Sequence, residues 1–344
     1  MQPSVFQLDE SADSILVARN PHAGTGKRAA TLDALVEALR QEGWRVEICT
    51  DLDQIGKQAE DWHQAGRLRA LLAAGGDGTV AELLNRTSPG ITILPYPMGT
   101  ENLLSKYLGL MGTTDDWLEV IREGHVARLD AGRAGDRLFL LMLSCGLDAE
   151  IVRELHQRRQ GHIHHLSYVK PSWLAMRNYQ YPQFTIRYLP PQQAKQGELH
   201  SSEKPASKEE WKTLEAHWLF LFNLPCYGLG LQFVEEANPW DGAFDLCVFQ
   251  GGSLTAGFRY LWQVFWRQHR QSPECKVVQA RRLQIECTEP VAAQFDGDPG
   301  GTLPLEIATV PQRFQCMVPR GWLQRQHGLA AVLQQESSAP ESLK

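Results

Sequence analysis

The chain has 344 residues, so two domains are expected, because a single domain typically has roughly 100–200 residues. Hydrophobic residues make up 43% and charged residues 22%, which is typical of a globular protein with a substantial core. The formal net charge of −6 argues against a nucleic-acid-binding protein, because that class is basic overall.

The cysteines and the apolar runs indicate a cellular compartment. Seven cysteines are scattered along the chain without a CxxC pair, which favours reduced thiols over a disulfide framework or a zinc site. No apolar run approaches the roughly 20 residues that cross a bilayer. We therefore expect a cytoplasmic protein whose membrane contact, at the inner membrane face, is peripheral.

In the first third of the chain, short apolar runs alternate with amphipathic stretches. Strands are predicted at 15–18, 45–49, 70–74 and 91–95, and helices at 29–41, 52–65 and 79–85. Strands that alternate with helices indicate βαβ units and a parallel sheet. We predict a nucleotide-binding α/β domain over residues 13–128. A C-terminal segment at about 319–333 is a candidate to pack back onto this domain.

After residue 129 the pattern changes to short strand-like runs separated by turn-rich segments. This pattern predicts a mostly antiparallel β-sandwich over residues 129–318, with a disordered polar loop at 192–212. The predicted strands are 138–143, 184–189, 218–222, 244–249, 283–287 and 314–318.

Three clusters with glycines follow predicted strands of the α/β domain. The first is Asn20 to Lys27 (NPHAGTGK), the second is Gly75 to Thr79 (GGDGT), and the third is Pro97 to Asn102 (PMGTEN). Glycines let the backbone approach a ligand, and amides at a helix start favour an anion. Because strands of a parallel sheet end at one edge, we expect the three clusters to converge there on a ligand.

The first cluster is not a Walker A loop, because Pro21 stands where the first glycine belongs and Arg28 follows Lys27. A glycine turn such as the second cluster is often only a tight connection. The order of all three clusters nevertheless resembles the diacylglycerol kinase catalytic-domain family, which includes bacterial lipid kinases and the sphingosine and ceramide kinases. Two downstream segments, Asn238 to Gly242 and Asp296 to Gly301, agree with the resemblance.

The resemblance implies an NAD kinase/diacylglycerol kinase-like α/β domain and a second domain that binds the lipid. It also implies ATP and Mg²⁺ as cofactors, and a diacylglycerol-, sphingosine- or ceramide-like hydroxyl as the phosphate acceptor. Lys27 is expected to neutralise phosphate charge, with a solvated surface lysine as the alternative. The candidate ATP-binding residues are Asn20, Thr25, Lys27, Thr50, Gly75, Gly76, Asp77, Gly78, Thr79, Val80, Glu82, Gly99, Thr100 and Asn102.

Three aspartates are candidate catalytic residues. Asp77 is expected either to take part in the assembly of metal ion and ATP phosphates or to accept the proton of the substrate hydroxyl. The alternative is that its side chain only forms an Asx turn. The Asp296-Gly-Asp298 pair resembles the family's Asp-Gly-Glu, whose glutamate is the base in bacterial members, so Asp298 would deprotonate the hydroxyl. The alternative for this pair is a hairpin turn, which Asp-Gly favours.

The resemblance also implies a structural Mg²⁺, held by the Asp241 carboxylate and the carbonyls of Asn238 and Ala243. Asp241-Gly242 is alternatively a turn dipeptide, since one carboxylate makes a weak site. Many bacterial members have Asp where this chain has Leu103, although the sphingosine kinases also lack it.

Phe258 to Arg270 is rich in aromatic residues and ends with basic ones. A packed helix is the favoured interpretation, and a membrane-interface segment is the alternative. The leading function is ATP-dependent phosphorylation of a lipid, with peripheral membrane contact, no nucleic-acid partner, and a homodimer left open. The alternatives are NAD kinase, which shares GGDGT, and a nucleotide- or lipid-binding protein without turnover.

Overall fold

The computed structural model describes most of the chain, and the side chains of Lys27 and Leu229 lie outside what it describes. The described residues are 3–9, 11–21, 23–24, 26–157, 176–177, 179–191 and 210–327. They form two compact units: Met1–Leu129 with Gln312–Lys344, and Asp130–Pro311. None of the described helices is long and apolar enough to span a membrane.

The strands of the first unit are β1 (Ser4–Gln7), β2 (Ser14–Arg19), β3 (Arg45–Cys49), β4 (Leu68–Gly75), β5 (Thr92–Pro97), β6 (His125–Ala134) and β17 (Leu305–Met317). A parallel sheet has the strand order β3-β2-β4-β5, followed by the end of β17. An antiparallel pair, β1 with the start of β6, belongs to the same unit.

Helices connect these parallel strands and follow them. They are α1 (Lys27–Gln41), α2 (Leu52–Gln64), α3 (Asp77–Arg86), α4 (Leu103–Leu108), α5 (Thr114–Glu123) and α8 (Arg320–His327). All eight residues of β4 are buried, as expected for a central parallel strand. Helix α2 begins at an Asp51 cap whose side chain accepts the amides of Asp53 and Gln54, and its buried face includes Trp62.

The second unit contains the other strands. They are β7 (Arg137–Phe139), β8 (Met142–Cys145), β9 (Phe184–Leu189), β10 (Lys212–Ala216), β11 (Trp218–Phe222), β12 (Phe244–Phe249), β13 (Cys275–Ala280), β14 (Arg282–Glu286), β15 (Ala292–Phe295) and β16 (Asp298–Thr302). One antiparallel sheet has the order β13-β12-β11-β8-β15-β16, and a second joins β10, β9, β14 and the first part of β17. A core cluster contains residues of both sheets, including Phe184 and Ile285 from one and Phe244 and Leu219 from the other.

Two α-helices of this unit lie entirely within the described residues, α6 (Leu147–Gln157) and α7 (Leu254–Phe265). The predicted fold class, a parallel α/β domain and a mostly antiparallel second domain, is confirmed. Several details differ from the sequence predictions. Helices α4 and α5 were not predicted. The strand predicted at 314–318 for the second domain is the end of β17, which pairs in parallel with β5 in the first unit. The single strand predicted at 138–143 is two short strands, and β10 begins at Lys212, inside the loop predicted at 192–212. Residues 192–209 of that loop lie outside the described residues.

Candidate active site

The three glycine clusters of the first unit are joined by backbone hydrogen bonds at the ends of β2, β4 and β5. The amide of Asn20 donates to the carbonyl of Ala74 at 3.1 Å, and the amide of Met98 donates to the carbonyl of Gly75 at 2.8 Å. The Asn20 side chain also donates to the Thr79 hydroxyl at 3.1 Å. The first and third clusters are thus both anchored to the strand and turn that carry the second.

Two glycines of these clusters lie against each other. A Cβ added to Gly99 would come within 2.6 Å of the Gly76 Cα, and one added to Gly75 within 2.1 Å of the Thr79 hydroxyl oxygen. Real Cβ atoms do not approach other heavy atoms so closely, so side chains are excluded at both positions. The second and third clusters thus pack main chain against main chain at Gly76 and Gly99, which we call the glycine contact; glycine turns of this kind are typical of phosphate-binding loops.

The N-terminus of α3 lies at the glycine contact. Its N-cap, Gly76, makes no side-chain hydrogen bond to the helix. The first amides of a helix have no partner within the helix, and they carry the positive end of its dipole. The start of α3 can therefore bind an anion such as a nucleotide phosphate.

Asp77 connects the second cluster to the third. One carboxylate oxygen accepts the amide of Leu103 at 2.8 Å, and the other accepts that of Leu104 at 3.0 Å. Burial raises the pKa of Asp77, and the two backbone hydrogen bonds oppose that rise. Asp77 thus caps α4, the helix of the third cluster, rather than closing an Asx turn within its own loop. Its predicted catalytic role stays a prediction.

We expect Asp77→Asn to lower the free energy of unfolding by about 1–3 kcal/mol, because an amide side chain leaves one buried backbone donor of α4 unpaired. Urea denaturation measures this loss. Asp61→Asn, at an exposed position on α2, is the matched control and should change stability little. Equal stabilities of the two variants would contradict the capping role of Asp77.

Asn102 fixes the third cluster from within. Its side chain accepts the amide of Gly99 and donates to the carbonyl of Gly99, both at 2.8 Å. Its own backbone is left-handed, with φ of 50°, a conformation that asparagine tolerates better than most residues. The predicted residues Gly99 and Asn102 therefore form one turn that holds Gly99 against Gly76.

Arg28 is a residue of this site that the sequence analysis missed. Its guanidinium donates to the carbonyl of Met98 at 3.3 Å and more closely to that of Gly99. It thereby connects the first turn of α1 to the third cluster. In the sequence, Arg28 is visible only as a departure from the Walker A pattern, so no local signal identifies this contact.

Three other predicted ATP-binding residues, Thr50, Glu82 and Thr100, make no hydrogen bond to these turns within the part of the chain that the structure describes. Thr50 and Thr100 are exposed. Glu82 forms an ion pair with Arg86, whose guanidinium also contacts Asp53 at 3.2 Å. Thr25 lies outside the described residues, and Lys27 begins α1 with a side chain outside them.

In the second unit, the predicted catalytic pair lies at the turn between β15 and β16. The Asp296 carboxylate accepts three backbone amides, those of Leu140 and Leu141 at 2.7 Å and of Met142 at 3.0 Å. Its backbone is left-handed, with φ of 53°. Asp296 thus anchors the hairpin to the segment between β7 and β8. The predicted hairpin turn is present, and a catalytic role of Asp296 stays a prediction.

Asp298 is more accessible than Asp296. Its side chain is 39% exposed, and the nearest cation is the Arg137 guanidinium at 3.8 Å. Arg137 also donates to the carbonyl of Pro299 at 3.2 Å and lies over the Phe295 ring. The Asp298 carboxylate therefore lies at the surface of the hairpin, and neighbouring residues such as Arg137 hold this hairpin in place.

A polar network lies next to this hairpin, and no local sequence pattern indicates it. The half-buried Asp148 carboxylate accepts the hydroxyls of Ser144 and Tyr227, and the Gln294 amide at 3.3 Å. The Gln294 carbonyl oxygen in turn accepts the amide of Gly297 at 2.8 Å. Burial raises the pKa of Asp148, while its three donors oppose that rise. The network links α6 to the turn that carries Asp298.

The predicted structural metal site lies before β12. Asp241 accepts the amide of Ala243 at 3.0 Å, and the Asn238 side chain accepts that of Trp240 at 3.1 Å. No group of three or more histidine, cysteine or acidic side chains among the described residues is arranged to hold a metal. Any cation here would therefore depend on backbone carbonyls, as the predicted ligand set of Asn238, Asp241 and Ala243 does.

One observation supports a cation near this loop. The Asp245 side chain is buried, and its Oδ2 has no hydrogen-bond partner among the described residues. Burial raises the pKa of Asp245 to about 6; the Asp241 charge contributes to the rise, and a hydrogen bond with Gln279 opposes it. A cation would stabilise both carboxylates, so the residues present fit the predicted site.

Comparison with known proteins matches both halves of the chain to family models. Residues 14–134 match the "Diacylglycerol kinase catalytic domain", and residues 142–318 match the "YegS C-terminal NAD kinase beta sandwich-like domain". The diacylglycerol kinase of Staphylococcus carnosus is 25% identical over 259 residues, which cover 73% of this chain and 76% of that protein. The Bacillus subtilis diacylglycerol kinase is 22% identical over 257 residues, 73% of this chain and 78% of that protein.

Solved structures share the fold. A putative diacylglycerol kinase from Bacillus anthracis superposes with a TM-score of 0.66 at 19% identity, covering 91% of this chain and 99% of that one. Yeast NADH kinase complexed with NADH gives a TM-score of 0.51 at 11% identity, covering 99% of this chain and 96% of that one. At these identities the likeness concerns the fold alone.

Proposed function

Because this chain belongs to the diacylglycerol kinase catalytic-domain family, with a YegS-type second domain, we propose that it is an ATP-dependent kinase that phosphorylates a lipid hydroxyl. The observation that carries the proposal is the packing of the three glycine clusters around the start of α3, where Gly76 contacts Gly99. Hydrogen bonds join the three chain segments there. The first amides of α3 can bind phosphate oxygens at this position.

In the proposed reaction, the first unit binds and orients ATP. The amides at the start of α3 would hold phosphate oxygens, while Asp77 and Arg28 keep the surrounding loops in place. Phosphoryl transfer depends mostly on positioning and charge neutralisation, so loops that are already held in place would contribute directly to the rate. Mg²⁺ bound with ATP would supply the neutralising charge.

The second unit contributes the proposed base. Asp298 would accept the proton of the lipid hydroxyl as that oxygen attacks the γ-phosphorus and ADP leaves. The Asp296 bonds and the Asp148–Gln294 network would hold the hairpin, so that the Asp298 carboxylate has a fixed position. Asp148 in this account is a positioning residue.

We expect Mg²⁺ to raise the melting temperature of the protein in the absence of nucleotide, because a cation that binds only the folded state stabilises it. The proposed ligands are the Asp241 carboxylate and the carbonyls of Asn238 and Ala243. Differential scanning fluorimetry over a Mg²⁺ series measures the shift. Asp241→Asn should abolish the shift, whereas Asp136→Asn, at an exposed position of the same unit, should retain it. A shift that survives in Asp241→Asn would contradict this site.

A substrate panel tests the proposed activity. The protein is incubated with labelled ATP, Mg²⁺ and, separately, diacylglycerol, sphingosine, ceramide or NAD, and products are identified by mass spectrometry. We expect a phosphorylated lipid. Phosphorylated NAD without any lipid product would establish the NAD kinase alternative, and ATP binding without any product would indicate a protein without turnover.

A further inference from the structure

One helix of the second unit carries a concentrated patch of exposed apolar side chains. Elsewhere in the described residues, the only large hydrophobic residues of comparable exposure are Ile48 and Met111. We call this patch the α7 aromatic face. It consists of Phe258 (47% exposed), Leu261 (39%), Trp262 (64%), Phe265 (64%) and Trp266 (53%).

The opposite side of α7 is packed, which fixes the orientation of the aromatic face. Ala256, Gly257, Tyr260 and Val264 are buried. The Tyr260 hydroxyl accepts the amide of Gly251 at 2.8 Å, which ties the helix to the preceding loop. The packed helix favoured from the sequence is thus present on one side, while the large aromatic side chains on the other side are left in solvent. A stable helix therefore holds the face outward.

Three arginines lie beside the face, and each is paired with a glutamate. The segment from Gly251 to Pro273 contains these three arginines and no acidic residue, and Glu274 follows it directly. Arg259, Arg267 and Arg270 pair with Glu274, Glu235 and Glu236, which lie outside that segment. Each arginine side chain is 41–62% exposed. Exposed ion pairs of this kind contribute little stability, so the guanidinium groups can exchange their partners for lipid phosphates at low cost.

The size and composition of the face favour a bilayer over a second copy of the chain. Aromatic side chains bury roughly 150–250 Å² each, so the exposed part of the face offers about 500 Å². A standard protein interface buries about 800 Å² on each partner. Tryptophan and phenylalanine beside basic residues are instead typical of helices that lie in the interfacial plane of a membrane.

From these observations we propose that the α7 aromatic face docks the protein on the surface of an anionic lipid bilayer. The proposal rests on the proposed function, because a kinase that acts on a lipid must reach the membrane that contains it. It uses residues that have no part in the candidate active site. The helix would lie along the membrane surface. Its tryptophans would insert between the lipid headgroups and the outermost part of the acyl chains, and its arginines would contact the lipid phosphates.

Vesicle cosedimentation of the full chain tests the proposal. The vesicles contain phosphatidylglycerol and phosphatidylcholine, and the variant is Trp262→Gln with Trp266→Gln. Both side chains are exposed, so the double variant should fold normally. We expect its apparent vesicle affinity to fall at least about tenfold. Met111→Gln removes an equally exposed apolar side chain of the first unit and should bind vesicles like the wild type.

Wild-type vesicle affinity in the double variant would overturn the proposal. The proposal would also be overturned if neither protein binds vesicles and analytical ultracentrifugation shows a wild-type dimer that the double variant no longer forms. Kinase assays with detergent-dispersed diacylglycerol separate this proposal from the proposed function, since the double variant should keep wild-type turnover there and lose it only on vesicles. A wild type that binds vesicles through this face but phosphorylates no lipid would refute the function and leave the docking surface in place.

Discussion

Asp298→Asn is expected to lower kcat for lipid phosphorylation by about 10²–10⁴-fold, which corresponds to about 3–5.5 kcal/mol of transition-state stabilisation. The substitution keeps the size of the side chain and removes its ability to accept a proton. Asp298 is partly exposed and makes only a long ion pair, with Arg137 at 3.8 Å. Its loss should therefore leave folding intact, and the rate should fall without a matching change in ATP affinity.

Steady-state kinetics at saturating ATP and isothermal titration with ATP measure the two quantities. Asp136→Asn is the matched control, because Asp136 is an exposed aspartate at another turn of the same unit. It should retain wild-type turnover. An Asp298→Asn enzyme with near-wild-type kcat would remove Asp298 from the role of base.

Gly75→Ala is expected to weaken ATP binding at least about tenfold and to lower the free energy of unfolding by about 1–3 kcal/mol. The new Cβ would lie 2.1 Å from the Thr79 hydroxyl oxygen and 2.5 Å from the Thr79 Cβ. Thr79 is buried in the first turn of α3, so its side chain cannot move away without shifting the helix start. That shift would disturb both the amides that we propose to bind phosphate and the hydrogen bond from Asn20 to Thr79.

Chemical denaturation and ATP titration measure the two effects of this substitution. Gly228→Ala is the control, since a Cβ at Gly228 meets no atom within 4 Å and its backbone is not left-handed. The control should bind ATP like the wild type. Unchanged ATP affinity in Gly75→Ala would show that the tight packing around this turn does not serve the nucleotide.

The architecture of the first unit could be predicted because its strands are short, apolar and separated by amphipathic helices. The predicted strand at 70–74 falls within β4, and the predicted helix at 52–65 matches α2 within one residue. Helices α4 and α5 were not predicted. Helix α4 has only six residues and begins at a cap supplied by Asp77, 26 residues earlier, which no local pattern can reveal.

Long-range contacts also explain what the sequence could not show of the candidate site. The roles of Asp77 and Asp296 depend on amides supplied by distant segments, and Asp148 meets Gln294 across 146 residues. Such pairs arise only when the strands are arranged in space. The glycine clusters could be identified from the sequence, because tight turns at the ends of parallel strands need glycine and so leave a local residue pattern.

The most direct test of the whole account is a crystal structure with a non-hydrolysable ATP analogue and Mg²⁺. We expect phosphate oxygens about 2.7–3.2 Å from the amides at the start of α3. A structure in which the analogue is bound elsewhere, with no phosphate at the start of α3, would contradict the proposed nucleotide site.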